Sequence, residues 1–107
     1  MKTFFANLSE IEEQRSASGR AYREFLRVPA MSVGLYVLPA GESDRQTPHR
    51  EDEVYYVLRG RGHFKAGPED REVSAGSVIF VGAEVGHRFY DISEDLALLV
   101  FFAPAES

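Results

Sequence analysis

The sequence contains no cysteine. This absence excludes disulfide bonds and thiolate ligands together, so any bound metal ion must be held by nitrogen and oxygen atoms. No apolar run approaches the roughly 20 residues that span a bilayer. The first residues also lack the basic-then-apolar pattern of a signal peptide. We therefore expect a cytoplasmic protein with no membrane partner.

The chain also lacks an excess of positive charge, internal repeats and linkers. Its formal net charge is −5, which argues against nucleic acid or an anionic membrane as the main partner. A chain of 107 residues can build one hydrophobic core but not two. No Pro-, Gly- or Ser-rich tract divides it. We expect one domain, residues 1–107.

Residues 41–60 place polar side chains between two apolar runs, each of which reads as a strand. Because side chains alternate along a strand, Glu53, Tyr55 and Val57 share one face of the second run. A carboxylate on an otherwise apolar face is expensive to bury unless a positive charge meets it. His49, four residues before Glu53, is a suitable co-ligand for a metal ion.

Residues 76–91 form a second stretch of the same kind. An apolar strand and a glycine-rich turn come first, and His87 then opens an aromatic segment.

With these two stretches the chain resembles the cupin superfamily, and specifically its small single-domain members. The first cupin motif is G-x5-H-x-H-x3-E-x6-G, and the second is G-x5-P-x-G-x2-H-x3-N. The first falls, with every spacing kept, on Gly41, Thr47, His49, Glu53 and Gly60. The second falls on Gly76, Gly82, Glu84, His87 and Asp91. Thr47 replaces a histidine of the first motif, and in the second motif only Gly76 and His87 match.

The resemblance implies an all-β fold: a jelly-roll-like cupin barrel of two antiparallel sheets, here with a short N-terminal helical turn. It also implies a metal site. His49, Glu53 and His87 would hold one divalent transition metal ion per chain, such as Fe, Mn, Ni, Co or Zn. Most cupin sites have three histidines and one glutamate, so Thr47 is the departure that matters. A threonine hydroxyl is a poor ligand, and it either hydrogen-bonds a metal-bound water or fills space.

The same residues also have a plainer interpretation. Two histidines and a glutamate can form a hydrogen-bonded polar cluster without metal. We favour the metal, because a buried Glu53 beside two neutral imidazoles lacks a compensating charge. Tyr36, Tyr55 and Phe89 are candidate pocket walls and equally good candidates for ordinary core. Glu51 and Asp52 read as solvated turn residues.

The rest of the chain reads as strands and turns. Residues 1–5 are a candidate edge strand. Asn7 or Ser9 is expected to cap a helical turn at 11–14, since Ser9 is followed three residues later by Glu12. Residues 16–19 read as a loop. Further strands are expected at 22–28, 31–38, 63–66 and 71–74, with a turn at 67–70 and His63 on the surface. The arginines of the 22–28 strand read as solvated rather than as contacts to an anionic substrate.

Residues 96–102 (LALLVFF) have no polar residue on either strand face. Such a strand needs cover on both sides, and the inside of one barrel supplies only one. Either the N-terminal segment or a second copy of the chain must cover the other, and we expect a homodimer.

Three function classes remain open at this point. The first is a metal-dependent enzyme acting on a small molecule, as an oxygenase, including a dioxygenase-type oxidoreductase, or as an isomerase-like proton-transferring enzyme. The second is a barrel that binds a sugar or organic acid without turnover. The third is a metal-free cupin kept for its interactions. The fold alone does not choose among them.

Overall fold

The aromatic and β-branched runs of the sequence become strands, and the turn residues between them become tight connections. The computed structural model describes residues 2–44 and 48–107. Its elements are helix α1 (Leu8–Ser18) and strands β1 (Tyr22–Val28), β2 (Met31–Leu38), β3 (Asp52–Ala66), β4 (Glu69–Ser74), β5 (Val78–Val81) and β6 (His87–Ala103). Strands β1 and β2 have the predicted bounds. The predicted strand at 63–66 is the last part of β3.

The strands pair in antiparallel fashion in the order β1-β2-β6-β3-β4, and β5 pairs with β3. The all-β fold is thus confirmed. The strands are hydrogen-bonded into one six-stranded sheet, although two separate sheets were expected. The 15-residue β3 and the 17-residue β6 are the reason. Strand β3 pairs with β4, β5 and β6, and β6 pairs with both β2 and β3, so these two strands join the others into one sheet.

The inward face of β3 follows the predicted alternation. Glu53 is 2% exposed, and Tyr55 and Val57 are fully buried. One face of β6 packs against them through Leu96, Leu98, Val100 and Phe102. Alternate side chains of the two longest strands therefore build the core and carry a carboxylate into it.

Gly60 lets β3 and β6 approach each other closely. Its φ is +99°, and a Cβ there would lie 2.1 Å from the backbone oxygen of Asp95. The register between the two strands shifts on both sides of this point. A residue without a side chain is therefore required here.

Three predictions for the first 19 residues are wrong. Residues 2–6 form no strand, and α1 is a full 11-residue helix rather than one turn. Of the two predicted N-cap candidates, Asn7 is the N-cap, and its side chain makes no capping hydrogen bond. The 16–19 segment is the last turn of α1 and its left-handed cap, Gly19. Packing of α1 against β1 and β2 stabilises a helix whose own sequence signals are weak.

Two side chains expected on the surface are covered. Glu51 is 5% exposed, because residue 107 donates a backbone hydrogen bond to its carboxylate. His63 is half-buried on the outer side of β3, where its ring lies 5.4 Å from that of Tyr90. Arg27 of β1 is exposed, as predicted, and pairs with Glu24. Arg23 is half-buried and donates a hydrogen bond to Gln14.

The outer face of β6 is only partly covered. Ala97 is buried, whereas Leu99 and Phe101 are half-buried. They pair with Leu35 and Val33 of β2, the strand on which α1 packs. Among the described residues, no helix is long and apolar enough to cross a bilayer.

Candidate metal centre

The three candidate ligands come from three parts of the chain. Glu53 stands on the inward face of β3, and His87 is the first residue of β6. His49 lies in the segment before β3, where its carbonyl accepts a 2.7 Å hydrogen bond from the Glu84 backbone N–H. This bond ties the first motif to the turn that precedes His87, and so brings the two motifs together.

One ligand atom from each of His49, Glu53 and His87 lies within 4.8 Å of the other two. Glu53 and His87 are buried, and His49 is half-buried. Two imidazole nitrogens and one carboxylate oxygen at such spacing suit a divalent first-row metal. The side chains that sequence spacing selected are thus neighbours in the fold.

The Glu53 carboxylate is the feature that calls for a cation. Its Oε1 lies 3.1 Å from His87 Nε2, but the geometry is not that of a hydrogen bond. Among the described residues, neither carboxylate oxygen receives one. An ionised carboxylate that is 2% exposed and has no donor is costly unless a positive charge meets it. The donor set and this unmet charge together fit a divalent metal ion.

His87 has a defined ring orientation. Its Nδ1 lies 2.8 Å from the Val85 carbonyl oxygen, which can only accept, so Nδ1 carries the proton and donates it. Nε2 is therefore the nitrogen that faces Glu53, and it lies 3.0 Å from the Tyr55 hydroxyl oxygen. A histidine with this arrangement is set to bind a metal through Nε2.

His87 also has an altered proton affinity. Burial by itself lowers the pKa of His87. Contact with the Glu53 carboxylate and the Val85 carbonyl outweighs burial and raises the pKa above its usual value of 6.5. A proton on His87 could thus supply the positive charge that Glu53 needs, which is the metal-free alternative.

A pocket of ≈ 230 Å³ adjoins His49. It is lined by Tyr22, Tyr36, His49, Val100, Phe102 and Glu106. Of the predicted walls, Tyr36 lines this pocket. Tyr55 and Phe89 are fully buried in the core, and Tyr55 reaches the site only through His87. Thr47 lies outside the described residues.

Sequence reasoning missed three residues of this region. Asp44 is 7% exposed, and its carboxylate accepts hydrogen bonds from the Tyr36 hydroxyl and the Phe89 backbone N–H, both at 2.9 Å. Burial and this carboxylate raise the pKa of Tyr36. Tyr22 carries a buried hydroxyl without a hydrogen-bond partner among the described residues. Glu106 is the third. Of these three residues, only Tyr22 could have been found from the sequence, because the alternation of side chains along β1 predicts that it points inward.

Gly34 of β2 makes room for Tyr22. A Cβ at residue 34 would lie 2.2 Å from ring atoms of Tyr22, too close for any real contact. We expect Gly34→Ala to displace this ring from the pocket, with a loss of stability of about 1–3 kcal/mol and weaker ligand binding. Denaturant unfolding measures the loss of stability, and tyrosine fluorescence measures the displacement of the ring. Tyr22→Phe, which keeps the ring, is the control and should keep the stability. A Gly34→Ala protein as stable as the wild type would contradict this account.

Comparison with known proteins agrees with the resemblance inferred from the two motifs. The family model described as "Cupin domain" matches residues 34–102, which include all three candidate ligands. The chain belongs to the cupin family.

Two kinds of relative extend this result. An uncharacterized protein of Streptomyces coelicolor is 51% identical over 107 residues, covering 100% of both chains. The crystal structure of a Bacillus halodurans protein superposes with a TM-score of 0.75 at 23% identity, covering 96% of this chain and 82% of that one. The DMSP lyase DddQ from Ruegeria pomeroyi gives a TM-score of 0.67 at 21% identity, covering 71% of this chain and 39% of that one. The two structures share the fold.

The departures from the second cupin motif keep the motif's backbone. Glu84 stands where cupins have glycine, with φ +66°, and Asp91 stands where they have asparagine, with φ +46°. Both are left-handed conformations, which glycine and asparagine adopt most readily. Residues 84 and 91 thus have backbone conformations that suit glycine and asparagine, although three residues of the motif differ.

Proposed function

We propose that this cupin binds one divalent transition metal ion through His49, Glu53 and His87, and that it acts as a metal-dependent enzyme on a small molecule. The observation that carries the proposal is the buried Glu53 carboxylate, which no hydrogen-bond donor among the described residues meets. Fe, Mn, Ni, Co and Zn all accept this set of donors.

A bound metal ion would supply either polarisation of a substrate oxygen or, as iron, oxygen chemistry. The residues of the chain provide the remaining functions. Val85 holds the His87 ring with Nε2 toward Glu53. Asp44 holds the Tyr36 hydroxyl, and Val100 and Phe102 form an apolar wall of the pocket.

The pocket favours a small substrate with at least one oxygen atom. Its ≈ 230 Å³ is below the range of about 300–1,000 Å³ that drug-sized ligands occupy. The partnerless Tyr22 hydroxyl can donate to a substrate carbonyl or hydroxyl. A structural neighbour, the DMSP lyase DddQ, shows that the same fold can carry an enzyme.

Turnover after metal loading tests this function. Protein purified without chelators is analysed for metal and then loaded with Fe, Mn, Ni, Co or Zn. Each form is assayed for oxygen uptake and for proton exchange into a panel of small hydroxy and keto acids and sugars. We expect turnover that a chelator abolishes. Oxygen uptake selects the oxygenase reaction, and proton exchange without oxygen selects the isomerase-like one.

A metal-free binding barrel is the second candidate function. It is favoured by the raised pKa of His87, since an imidazolium at this position would pair with Glu53. Saturable binding of a sugar or acid, unchanged by chelator and without turnover, would select it. A cytoplasmic location and the lack of nucleic-acid partners rest on composition alone and stay predictions.

The homodimer expected from the sequence remains a proposal, and an exposed apolar patch is its candidate surface. Val78 and Phe80 of β5 are 70% and 66% exposed, and Tyr56, which pairs with Val78, is 39% exposed. We expect a dimer by light scattering at micromolar concentration and a monomer for Phe80→Glu. Phe5→Glu, at a 92% exposed position before α1, should leave the dimer intact. A wild-type monomer would contradict the proposal.

A further inference from the structure

The 104–107 segment, which follows β6, lies at the pocket beside His49 and is fastened to the body of the protein. Its backbone N–H groups donate to the Pro29 carbonyl (3.3 Å), the Ser32 hydroxyl (3.0 Å) and the Glu51 carboxylate (3.2 Å). The Arg27 guanidinium donates to the Glu106 carbonyl. Ser32 and Glu51 are themselves buried, so the segment is held by fixed groups.

This fastening brings the Glu106 carboxylate to His49. Glu106 Oε2 lies 3.4 Å from His49 Nδ1, and both side chains line the pocket. This distance exceeds the usual N–H···O range of about 2.7–3.2 Å, so in this structure the two groups are at ion-pair distance. The Glu106 side chain is 30% exposed. Burial raises the pKa of Glu106 more than the neighbouring His49 lowers it.

We infer that Glu106 is a positioning residue, whose carboxylate accepts the Nδ1–H of His49 and assigns the metal-ligand role to Nε2. A metal-binding histidine commonly donates its other ring N–H to a carboxylate or a backbone carbonyl, which fixes the tautomer and the ring orientation. At His87 the Val85 carbonyl has this role. Glu106 has the equivalent role at His49, so each candidate imidazole has its own acceptor.

His49 depends on such a contact more than His87 does. His87 belongs to β6, whereas His49 lies in the segment before β3 and belongs to no helix or strand. Its ring packs edge-on against Phe102, with centroids 4.9 Å apart, which limits the position of the ring but does not choose its tautomer. The chain thus uses residue 106, far from both motifs, to complete the first motif.

The metal part of this inference rests on the proposed function, so the experiment has one readout that needs no metal. NMR of the histidine ring nitrogens reports the tautomer of His49 in metal-free protein in mildly alkaline buffer. We expect the proton on Nδ1 in the wild type, and a mixture or the Nε2–H form in Glu106→Ala. Glu106→Gln keeps an acceptor oxygen and should keep the Nδ1–H form.

The second readout is zinc affinity by competition with a chelator. We expect Glu106→Ala to bind zinc about 10- to 100-fold more weakly than the wild type, and Glu106→Gln to recover most of that loss. Glu69→Gln removes the same charge from an exposed side chain that pairs with Arg71, and it should bind zinc as the wild type does. Unchanged melting temperatures of the metal-free variants confirm that the fold is intact.

The outcomes separate the two claims. A wild-type His49 with its proton on Nε2, or wild-type zinc affinity in Glu106→Ala, overturns the positioning role. A Glu106→Gln protein as weak as Glu106→Ala also overturns it, because charge or direct coordination would then be what matters. If the wild type takes up no metal but the tautomer still changes in Glu106→Ala, the positioning role stands and the proposed metal-dependent function fails.

Discussion

His49→Ala and His87→Ala are expected to lose the bound metal almost completely. The wild type should carry about one divalent ion per chain, because its three ligand atoms lie within 4.8 Å of one another. Removing one imidazole leaves two protein ligands, too few to hold the ion through purification. Elemental analysis of proteins purified in parallel without chelators measures the loss.

His63→Ala is the matched control for these two variants. His63 is the remaining histidine of the chain, and its ring contacts that of Tyr90 at the outer side of β3. Its replacement should leave the metal content at the wild-type level. Equal metal content in all three histidine variants would show that the ion binds elsewhere.

Stability provides an independent check on the metal site. A ligand that binds only the folded state stabilises it by about 2.7 kcal/mol at a hundred times its dissociation constant. For a domain of this size that free energy raises the melting temperature by roughly 10 °C or more. Chelator should therefore lower the melting temperature of the wild type and of His63→Ala, and should leave His49→Ala and His87→Ala unchanged.

Glu53→Gln tests both the metal-binding role of Glu53 and its charge balance in the apo protein. If His87 is neutral in the apo protein, the buried Glu53 carboxylate there is uncompensated. Neutralising it should then stabilise the apo protein by roughly 1–3 kcal/mol while abolishing metal binding. If Glu53 instead pairs with a protonated His87, the same substitution should destabilise the protein. Denaturant unfolding of chelator-treated proteins decides between the two.

Gly60→Ala is expected to cost at least about 4 kcal/mol of stability, or to prevent folding. The added Cβ would lie 2.1 Å from the Asp95 carbonyl oxygen and 2.7 Å from Leu96 Cα. Both are backbone atoms of the facing strand, so β3 and β6 would have to move apart. These strands carry Glu53 and His87, and we therefore expect weaker metal binding in any protein that does fold.

Gly76→Ala shows how much of the stability loss in Gly60→Ala comes from the steric clash and how much from the unusual backbone conformation. Gly76 has a φ of +93°, close to the +99° of Gly60, but nothing lies within 4 Å of its would-be Cβ. It should lose only about 1–3 kcal/mol, the cost of an unusual backbone conformation. The difference between the two variants in urea unfolding measures the clash. Equal losses would mean that the close approach of the strands is not what requires glycine at residue 60.

Local pattern predicted the parts of the protein that depend on local physics. Alternation along β3 placed Glu53, Tyr55 and Val57 on the buried face, because a strand turns successive side chains to opposite sides. Composition gave β1 and β2 their bounds. It failed for α1, whose length depends on packing against the sheet. It also made one long strand, β3, look like two, since the glycines within it resemble a turn.

The candidate ligands could be found from the sequence, but their surroundings could not. Motif spacing selected His49, Glu53 and His87, which the fold brings within 4.8 Å. No pattern pointed to Asp44 as the residue that fixes Tyr36. Tyr55 and Phe89 were left open between pocket wall and core, and the fully buried positions of both come from packing between strands distant in sequence.

By itself the sequence determined the strand faces, the residue types available as ligands and the glycine-rich turns. Each of these depends on neighbours a few residues apart. The tertiary structure alone decided that Glu51 is covered and that Glu106 meets His49. Those contacts join positions more than 50 residues apart in the chain. They form because folding brings the 104–107 segment back across the end of β3, a closure that no local periodicity encodes.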